Sequence, residues 1–406
     1  MALLVQKYGG TSVADAQRIR NVASRIAHTY RQGHQVVVVV SAMGDTTDQL
    51  IDLAREVNPS PDEREMDLLL STGEVVSCSL TALALKALGV PAISFTGAQA
   101  GIWTDAQHRQ ARILVVEAHR IHQELEKGRV VVVAGFQGVT RDLDVTTLGR
   151  GGSDTTAVAL AAALGAERCE VYTDVEGVYS ADPRLVPQAQ KMPEIGYDEM
   201  LEMATQGAKV MHPRGVELGL LYNIPILVAS SFSQAPGTLL HGGTSMEVRN
   251  KVRGIVHDLD VAKVTVVGVP DQPGIAATIF EPLAQAGISV DTIVQNASLQ
   301  GITDVTFTVS RESLKKALEI VQAPAQRIGA RQVAGDARLG KVSIVGTGMQ
   351  NTPGYAARMF RTLAEEGINI QLITTSEIRI TCIIDEARVA EAVQVLHQAF
   401  ALDQED

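Results

Sequence analysis

The stretch from Val264, "VTVVGVPDQPGIAATIFEPLAQAGISVDTI", returns from Val342 as "VSIVGTGMQNTPGYAARMFRTLAEEGINIQLI". Val264 and Gly268 match Val342 and Gly346 at a spacing of 78. Pro273, Gly274, Phe280, Leu283, Gly287 and Ile288 match Pro353, Gly354, Phe360, Leu363, Gly367 and Ile368 at a spacing of 80, so the second copy gains two residues in its loop. A chain that carries one segment twice must fold it twice. Each copy reads strand, Pro-Gly, helix, strand, then a further strand ("DVTFTVS" or "EIRITCII") and a final helix. That order predicts two small βαββαβ units, over 263–340 and 341–406.

Upstream, from Leu3 to about Val228, short Val/Ile runs ("LLVQKY", "VVVVVS", "RVVVVAG", "CEVYTDV", "NIPILVAS") alternate with amphipathic stretches. This is the pattern of a mostly parallel sheet with helices on both faces, assigned to 1–245. The first helix is signalled by Ser12 and Asp15 at capping-box spacing, with Ile19, Val22, Ala23 and Ile26 at helical intervals and Gly33 past the end. It is expected to begin at Ser12. The polar, glycine-rich "SQAPGTLLHGGTSMEVRNK" reads as an interdomain connection, with 246–262 as linker and strand.

With 406 residues, 46% apolar and 20% charged, the chain has the composition of two or three globular domains, and no uninterrupted apolar run reaches the ~18 residues of a membrane span. The opening "MALLVQKY" has too short an apolar run and no basic leader for a secretory signal, so a cytoplasmic location is expected. Cys78, Cys169 and Cys382 lack CxxC spacing and read as buried free thiols. A formal charge of −11 with 4% aromatics argues against nucleic acid as a partner. His119 and His122 stand i, i+3 among glutamates and arginine, which favours an exposed helix face, and no metal ligands are assigned. Trp103 reads as a loop anchor.

An anion must therefore be captured locally, and two loops suit that task. "TLGRGGSDTTA" places Gly149, Gly151 and Gly152 before an Ala-rich helix that Ser153 or Asp154 could cap, so bare amides meet the positive end of a helix. A plain turn would not need Arg150. In "QKYGGTS", Lys7 ends a strand and Gly9 and Gly10 turn toward a helix, which suits a phosphate, although a surface lysine beside a turn gives the same pattern. No GxxxxGK[ST] loop occurs; "GDARLGKV" from Gly335 runs into a strand. "VYTDVEGVYSADPR" puts Asp174 at a strand end, for a nucleotide, its Mg²⁺ or a simple turn. "GAKVMHPRGVEL" adds Lys209, His212 and Arg214 near a helix start, as nucleotide contacts or a solvated face. Glu74, in "LLLSTGEVVSCSL", is a carboxylate in a largely apolar helical stretch broken by Ser-Thr-Gly, and needs a cation, from a side chain or a substrate ammonium.

Together "KYGGTS", "VVVVVSAMGDTTD", "LLLSTGE", "FTGAQAGI", "TTLGRGGSDTTAVALAAALGA", "YTDVEGVYSADPR" and "GAKVMHPRGVEL" resemble the aspartokinases of the amino-acid-kinase superfamily, and the repeat resembles tandem ACT domains. The resemblance spans nearly the whole chain. It implies a three-layer αβα sandwich of the carbamate-kinase type followed by two ferredoxin-like α+β ACT domains. It also implies ATP-dependent phosphorylation of the β-carboxylate of L-aspartate to 4-phospho-L-aspartate, the first step toward lysine, threonine and methionine. On that reading Lys7, Gly9 and Gly10 stabilise the transferring phosphoryl group and Asp154 orients Lys7. Tyr8, Ser41, Thr173, Asp174, Tyr179, Asp182, Arg184 and Lys209 contact ATP and its Mg²⁺, the latter held mainly through the nucleotide. Arg150, with Gly151, Gly152 and Ser153, grips an aspartate carboxylate, Glu74 takes the ammonium, and Thr47 lies nearby.

For the repeat, amides at Gly274, Ile275 and Ala276, and at Gly354 and Tyr355, are free for an amino-acid carboxylate, with Asp271 and Asn351 in matching places. By resemblance the ACT units self-associate and bind lysine, threonine or both, lined by Asp291, Gln295, Asn369, Ile370, Ser376 and Glu377. The strand near "GIVHD" is expected to complete the second unit, the loop "NASLQGITD" looks short for threonine contacts, and Met246 is placed for a separately started regulatory subunit. Two alternatives are another amino-acid kinase, such as one acting on acetylglutamate, and a catalytically silent amino-acid sensor. Glu74 opposes the first, since an acylated substrate has no ammonium. Lys7, Asp154, Arg150 and Asp174 together oppose the second.

Overall fold

The computed structural model describes residues 2–242, 252–296, 301–349 and 352–404. Met246 and Asn351 lie outside the described residues. The chain packs into two compact units. Met1–Tyr179, Lys191–Thr205 and Lys209–Glu247 form the first; Ser180–Gln190, Gln206–Ala208 and Val248–Asp406 form the second.

The first unit opens with β1 (Leu3–Tyr8), α1 (Ala16–Arg31), β2 (Gln35–Val40), α2 (Thr46–Val57), α3 (Glu63–Ala87) and β3 (Ala92–Phe95). Next come β4 (Ile102–Thr104) and β5 (Ile113–Val116) of a side sheet, α4 (His119–Glu126) and β6 (Val130–Ala134) of the main sheet, and β7 (Gln137–Val139) and β8 (Val145–Thr147) of the side sheet again. It continues through α5 (Gly152–Leu164), β9 (Arg168–Thr173), β10 (Glu194–Gly196), α6 (Tyr197–Thr205), α7 (Pro213–Tyr222), β11 (Ile226–Ser230) and β12 (Thr238–His241).

The main sheet has the order β10-β12-β11-β9-β1-β2-β6-β3, and only the β11–β12 pairing is antiparallel. Its unbroken valine runs follow from burial on both faces. Val36, Val38 and Val40 pack beneath α1 and α3, against Ile19, Val22, Ile26, Cys78 and Leu85. On the other side α5 lies on β1, β2 and β9, with α7 beside it. Small side chains let α5 bury almost all of its circumference, from Gly152 to Ala161. The result is the three-layer αβα sandwich, with a smaller sheet, β5-β4-β7-β8, alongside.

Three local expectations are corrected. The helix after β1 starts at Ala16, not Ser12: Asp15 caps it by accepting from Arg18 N at 2.8 Å, and Ser12 lies in a preceding 3-10 turn. The Ser12 hydroxyl instead donates to Ser231 Oγ at 2.8 Å. Neither Ser153 nor Asp154 caps α5, because the left-handed Gly151 takes that position and α5 already begins at Gly152. Ser-Thr-Gly does not break the helix at Glu74: α3 runs unbroken through Gly73, where a Cβ would come within 2.9 Å of Ala42 Cβ. By length and apolar composition α3 could cross a bilayer, but half of its most apolar window is buried in this unit, as a core helix requires.

The second unit comprises β13 (Gly254–Pro270), α8 (Ile275–Gln285), β14 (Ile293–Gln295), β15 (Ile302–Val309), α9 (Leu314–Arg327), β16 (Gln332–Val345), α10 (Tyr355–Glu365), β17 (Leu372–Ser376), β18 (Arg379–Asp385) and α11 (Val389–Ala399). Both repeats share one antiparallel sheet, β14-β15-β13-β16-β18-β17. The two central strands are long because each serves both copies. Gly254–Asp258 pairs with Lys341–Val345, and Lys263–Val267 with Gln332–Asp336. Each copy keeps its own core: Val264, Ile279, Leu283 and Phe307 in one, Val342, Met359, Leu363 and Leu396 in the other. Ala181 and Val186 join the latter core, and Ser180 Oγ lies 2.9 Å from Nε2 of the buried His397.

Candidate active site

Lys7 stands at the carboxyl end of β1, between Val39 of β2 and Val171 of β9, where ligands collect in parallel sheets. Its Nζ lies 2.6 Å from Asp154 Oδ1, and neither side chain is fully sealed, at 11% and 9% exposure. Asp154 Oδ2 accepts from His212 N at 3.1 Å, so main chain and ammonium hold the carboxylate from two sides. Gly9 leaves the lysine open, since even a Cβ there would stand 3.7 Å from Nζ. Gly10 passes so close to the next turn that a Cβ would meet Ala42 O at 2.9 Å. Tyr8 points the other way: its ring is buried in the core, stacked on Tyr172 at 4.9 Å, which leaves only its main chain near Lys7.

Between β8 and α5, Gly149 and Gly151 adopt φ of 80° and 68°. At Gly151 a Cβ would fall 2.3 Å from the His212 ring, so the imidazole occupies the space a side chain there would need. Burial lowers the His212 pKa, which leaves a neutral ring near Asp154 and Arg214. Ser153 is buried against Gly135, whereas Arg150 is exposed and makes no ion pair among the described residues.

Glu74 lies on the buried face of α3 at 3% exposure. Its Oε1 accepts from Ala42 N at 3.1 Å, while Oε2 is buried with no partner among the described residues. Burial pushes its carboxyl up to about 8. Of the two cations open to it, no lysine or arginine side chain reaches it among the described residues. The turn it touches carries Ser41, whose N donates to Tyr8 O and whose O accepts from Ser77 Oγ at 2.7 Å. Thr47, in the first turn of α2, is half-buried.

Asp174 is exposed just past β9, bonded to Thr173 Oγ1 at 3.1 Å. Tyr179 bridges to Lys191, and burial raises its hydroxyl pKa. Lys209 is exposed. Asp182 and Arg184 belong to the second unit, where the guanidinium closes on the carboxylate at 2.7 Å.

In the second unit the two helix starts mirror each other: Gly274 caps α8 with φ 91° and Gly354 caps α10 with φ 110°. Asp271, Ala276, Gln295, Asn369, Ser376 and Glu377 are exposed, while Ile275, Tyr355 and Ile370 lean on the cores. Asp291 pairs with the buried Lys341 at 2.8 Å. Sequence reasoning passed over Asp67, fully buried two turns before Glu74 on the same face of α3; its signal is an aspartate within the apolar "MDLLLS".

Residues 2–230 match the Amino acid kinase family, and residues 263–323 and 342–400 each match an ACT domain. The chain is 52% identical over 411 residues to the aspartokinase of Mycolicibacterium smegmatis, covering 100% of this chain and 98% of that one. The structure of E. coli aspartokinase III in complex with aspartate and ADP (R-state) superposes with a TM-score of 0.84 at 26% identity, over 98% of this chain and 99% of that one. The same enzyme with lysine and aspartate (T-state) gives 0.76 at 27%, over the same shares. The amino-acid-kinase match covers more than half of the chain and the likeness to aspartokinases runs along its full length, so the chain belongs to the aspartokinase family.

Proposed function

We propose that this chain transfers the γ-phosphoryl group of ATP to the β-carboxylate of L-aspartate. The observation that carries the choice of substrate is the buried, unpartnered Oε2 of Glu74. A site that leaves one carboxyl oxygen dry and unpaired asks for a cation, and an amino acid with a free ammonium brings one. Arg150, exposed and without an ion pair among the described residues, is available for a substrate carboxylate. The nucleophile needs no general base, because a carboxyl of pKa ~4 is already ionised at neutral pH. An aspartate oxygen attacks the γ-phosphorus, the bond to the bridging oxygen breaks, and ADP leaves with that electron pair. Catalysis is then positioning and charge stabilisation. Lys7 offsets charge on the transferring group, and Asp154 fixes its ammonium. Gly9 leaves the Lys7 ammonium open to a phosphate, Gly10 lets the turn close against Ala42, and Asp174, exposed at a strand end, suits the nucleotide's Mg²⁺, which would neutralise phosphate charge.

The product, 4-phospho-L-aspartate, opens the route to lysine, threonine and methionine. The helix starts at Gly274 and Gly354, which no side chain caps among the described residues, support amino-acid feedback by lysine, threonine or both, and the edge strands β14 and β17 support self-association of the second unit. Three free buried thiols fit a cytoplasmic location. ADP release with ATP, Mg²⁺ and L-aspartate, with hydroxylamine trapping the acyl phosphate, tests the reading. Turnover that requires aspartate and falls with lysine or threonine is expected; none with aspartate, while either amino acid still raises Tm, would leave a sensor.

A further inference from the structure

We infer that Asp67 is a positioning residue for the amino-acid substrate, acting through the loop that carries Arg150; the inference rests on the roles proposed above for Arg150 and Glu74. Asp67 has no exposed surface, and its carboxyl group is surrounded by donors from the β4–β5 loop and from the end of β8, where the Arg150 loop begins. Thr147 Oγ1 donates to Oδ1 at 2.5 Å, Arg109 N donates to both oxygens at 3.1 and 3.0 Å, and His108 Nδ1 lies 2.9 Å from Oδ2. Arg109 is held at φ 69°, a conformation that costs a side-chain-bearing residue energy and persists only where its surroundings impose it. The two loops are also tied to each other. Ala111 N donates to Thr147 O at 3.0 Å, and Arg214 donates to Leu148 O at 2.7 Å and Ala111 O at 3.0 Å. Gly149 runs so close to this layer that a Cβ would meet Arg109 O at 3.0 Å.

Thr147 stands three residues before Arg150, and Asp67 seven residues before Glu74 on α3. Residues seven apart share a helix face. One rigid helix thus places the group for the substrate ammonium directly and registers the loop for the substrate carboxylate through Asp67. Displacing a group that holds substrate and transition state equally raises KM and leaves kcat unchanged.

Steady-state kinetics of full-length Asp67→Asn and Thr147→Val, with amide hydrogen exchange over 105–112 and 147–151, test this. Both substitutions nearly preserve volume while removing the donor–acceptor match. Expected is a rise of roughly tenfold or more in KM for aspartate, with kcat and KM for ATP within about twofold, and faster exchange in both loops. A merely structural role would reduce the active fraction, lowering kcat with both KM values unchanged. An unchanged aspartate KM, or an equal rise in both KM values, overturns the inference. If the wild-type chain does not consume aspartate, the substrate reading fails on its own, and exchange over 147–151 decides for Asp67: faster supports it, unchanged overturns it.

Discussion

Glu74 and Lys7 illustrate opposite uses of burial. With Oε2 unpartnered and its carboxyl pushed up to about 8, Glu74 holds a proton at neutral pH in the empty protein. An ammonium needs the ionised form, so aspartate binding at pH 7 should release a proton, and KM for aspartate should fall as pH rises from about 6.5 to 8. Calorimetry in buffers of different ionisation enthalpy measures that proton. The folded carboxyl lies above its unfolded value near 4.5, so its stabilising contribution is complete below that value and lost as pH rises toward about 8. Tm of the ligand-free protein should therefore drop across this window, and Glu74→Gln should flatten the slope. For Lys7, whose ammonium meets Asp154 at 2.6 Å, substitution by alanine should lower kcat by about 10²–10³-fold, the usual size for one stabiliser of transition-state charge. Single-turnover phosphoryl transfer reads that loss. The strand-end lysine and the glycine turns were legible because residue type and spacing carry them. Asp67 was not, because its donors come from positions 108, 109 and 147, a convergence that only the folded chain creates.

At the scale of elements, α3 shows propensity losing to packing. Gly73 costs a helix interior about 1 kcal/mol relative to alanine, which favours a break in the sequence reading. Yet the helix continues for 25 residues, because only glycine lets it reach the Ala42 turn, on whose N–H Glu74 depends. Gly73→Ala should regain that ~1 kcal/mol of propensity and lose about 1–3 kcal/mol to overcrowding against Ala42 Cβ. The net expectation is a lower Tm by thermal denaturation and a higher KM for aspartate; a higher Tm with unchanged KM would contradict it. The start of α1 was misplaced for a similar reason. Both Ser12 and Asp15 are good caps, and the choice fell to Asp15 because Ser12 bonds Ser231, more than two hundred residues away.

In the molecule as a whole, the repeat was legible as two copies, since matching residues at nearly constant spacing are independent of context, but the bounds drawn at 262/263 and 340/341 fall inside β13 and β16, which both copies share. The attachment of Ser180–Gln190 to the second unit was not, because nothing in "SADPRLVPQAQ" names His397 as its neighbour. Burial lowers the His397 pKa, so the native ring binds fewer protons than the unfolded one, and this unit should lose stability as pH falls below about 6.5. Replacing His397 by alanine should remove that dependence and speed amide exchange across 180–190; protection equal to wild type would show the contact to be idle. The shared strand β13 has a consequence for biosynthesis. When Gly254–Asp258 leaves the ribosome, its partner Lys341–Val345 has not yet been made, and at about 5–20 residues per second it will follow only after several seconds. Through that interval the nascent chain carries an apolar strand with an open edge, a target for chaperones and for neighbouring nascent chains on the same message.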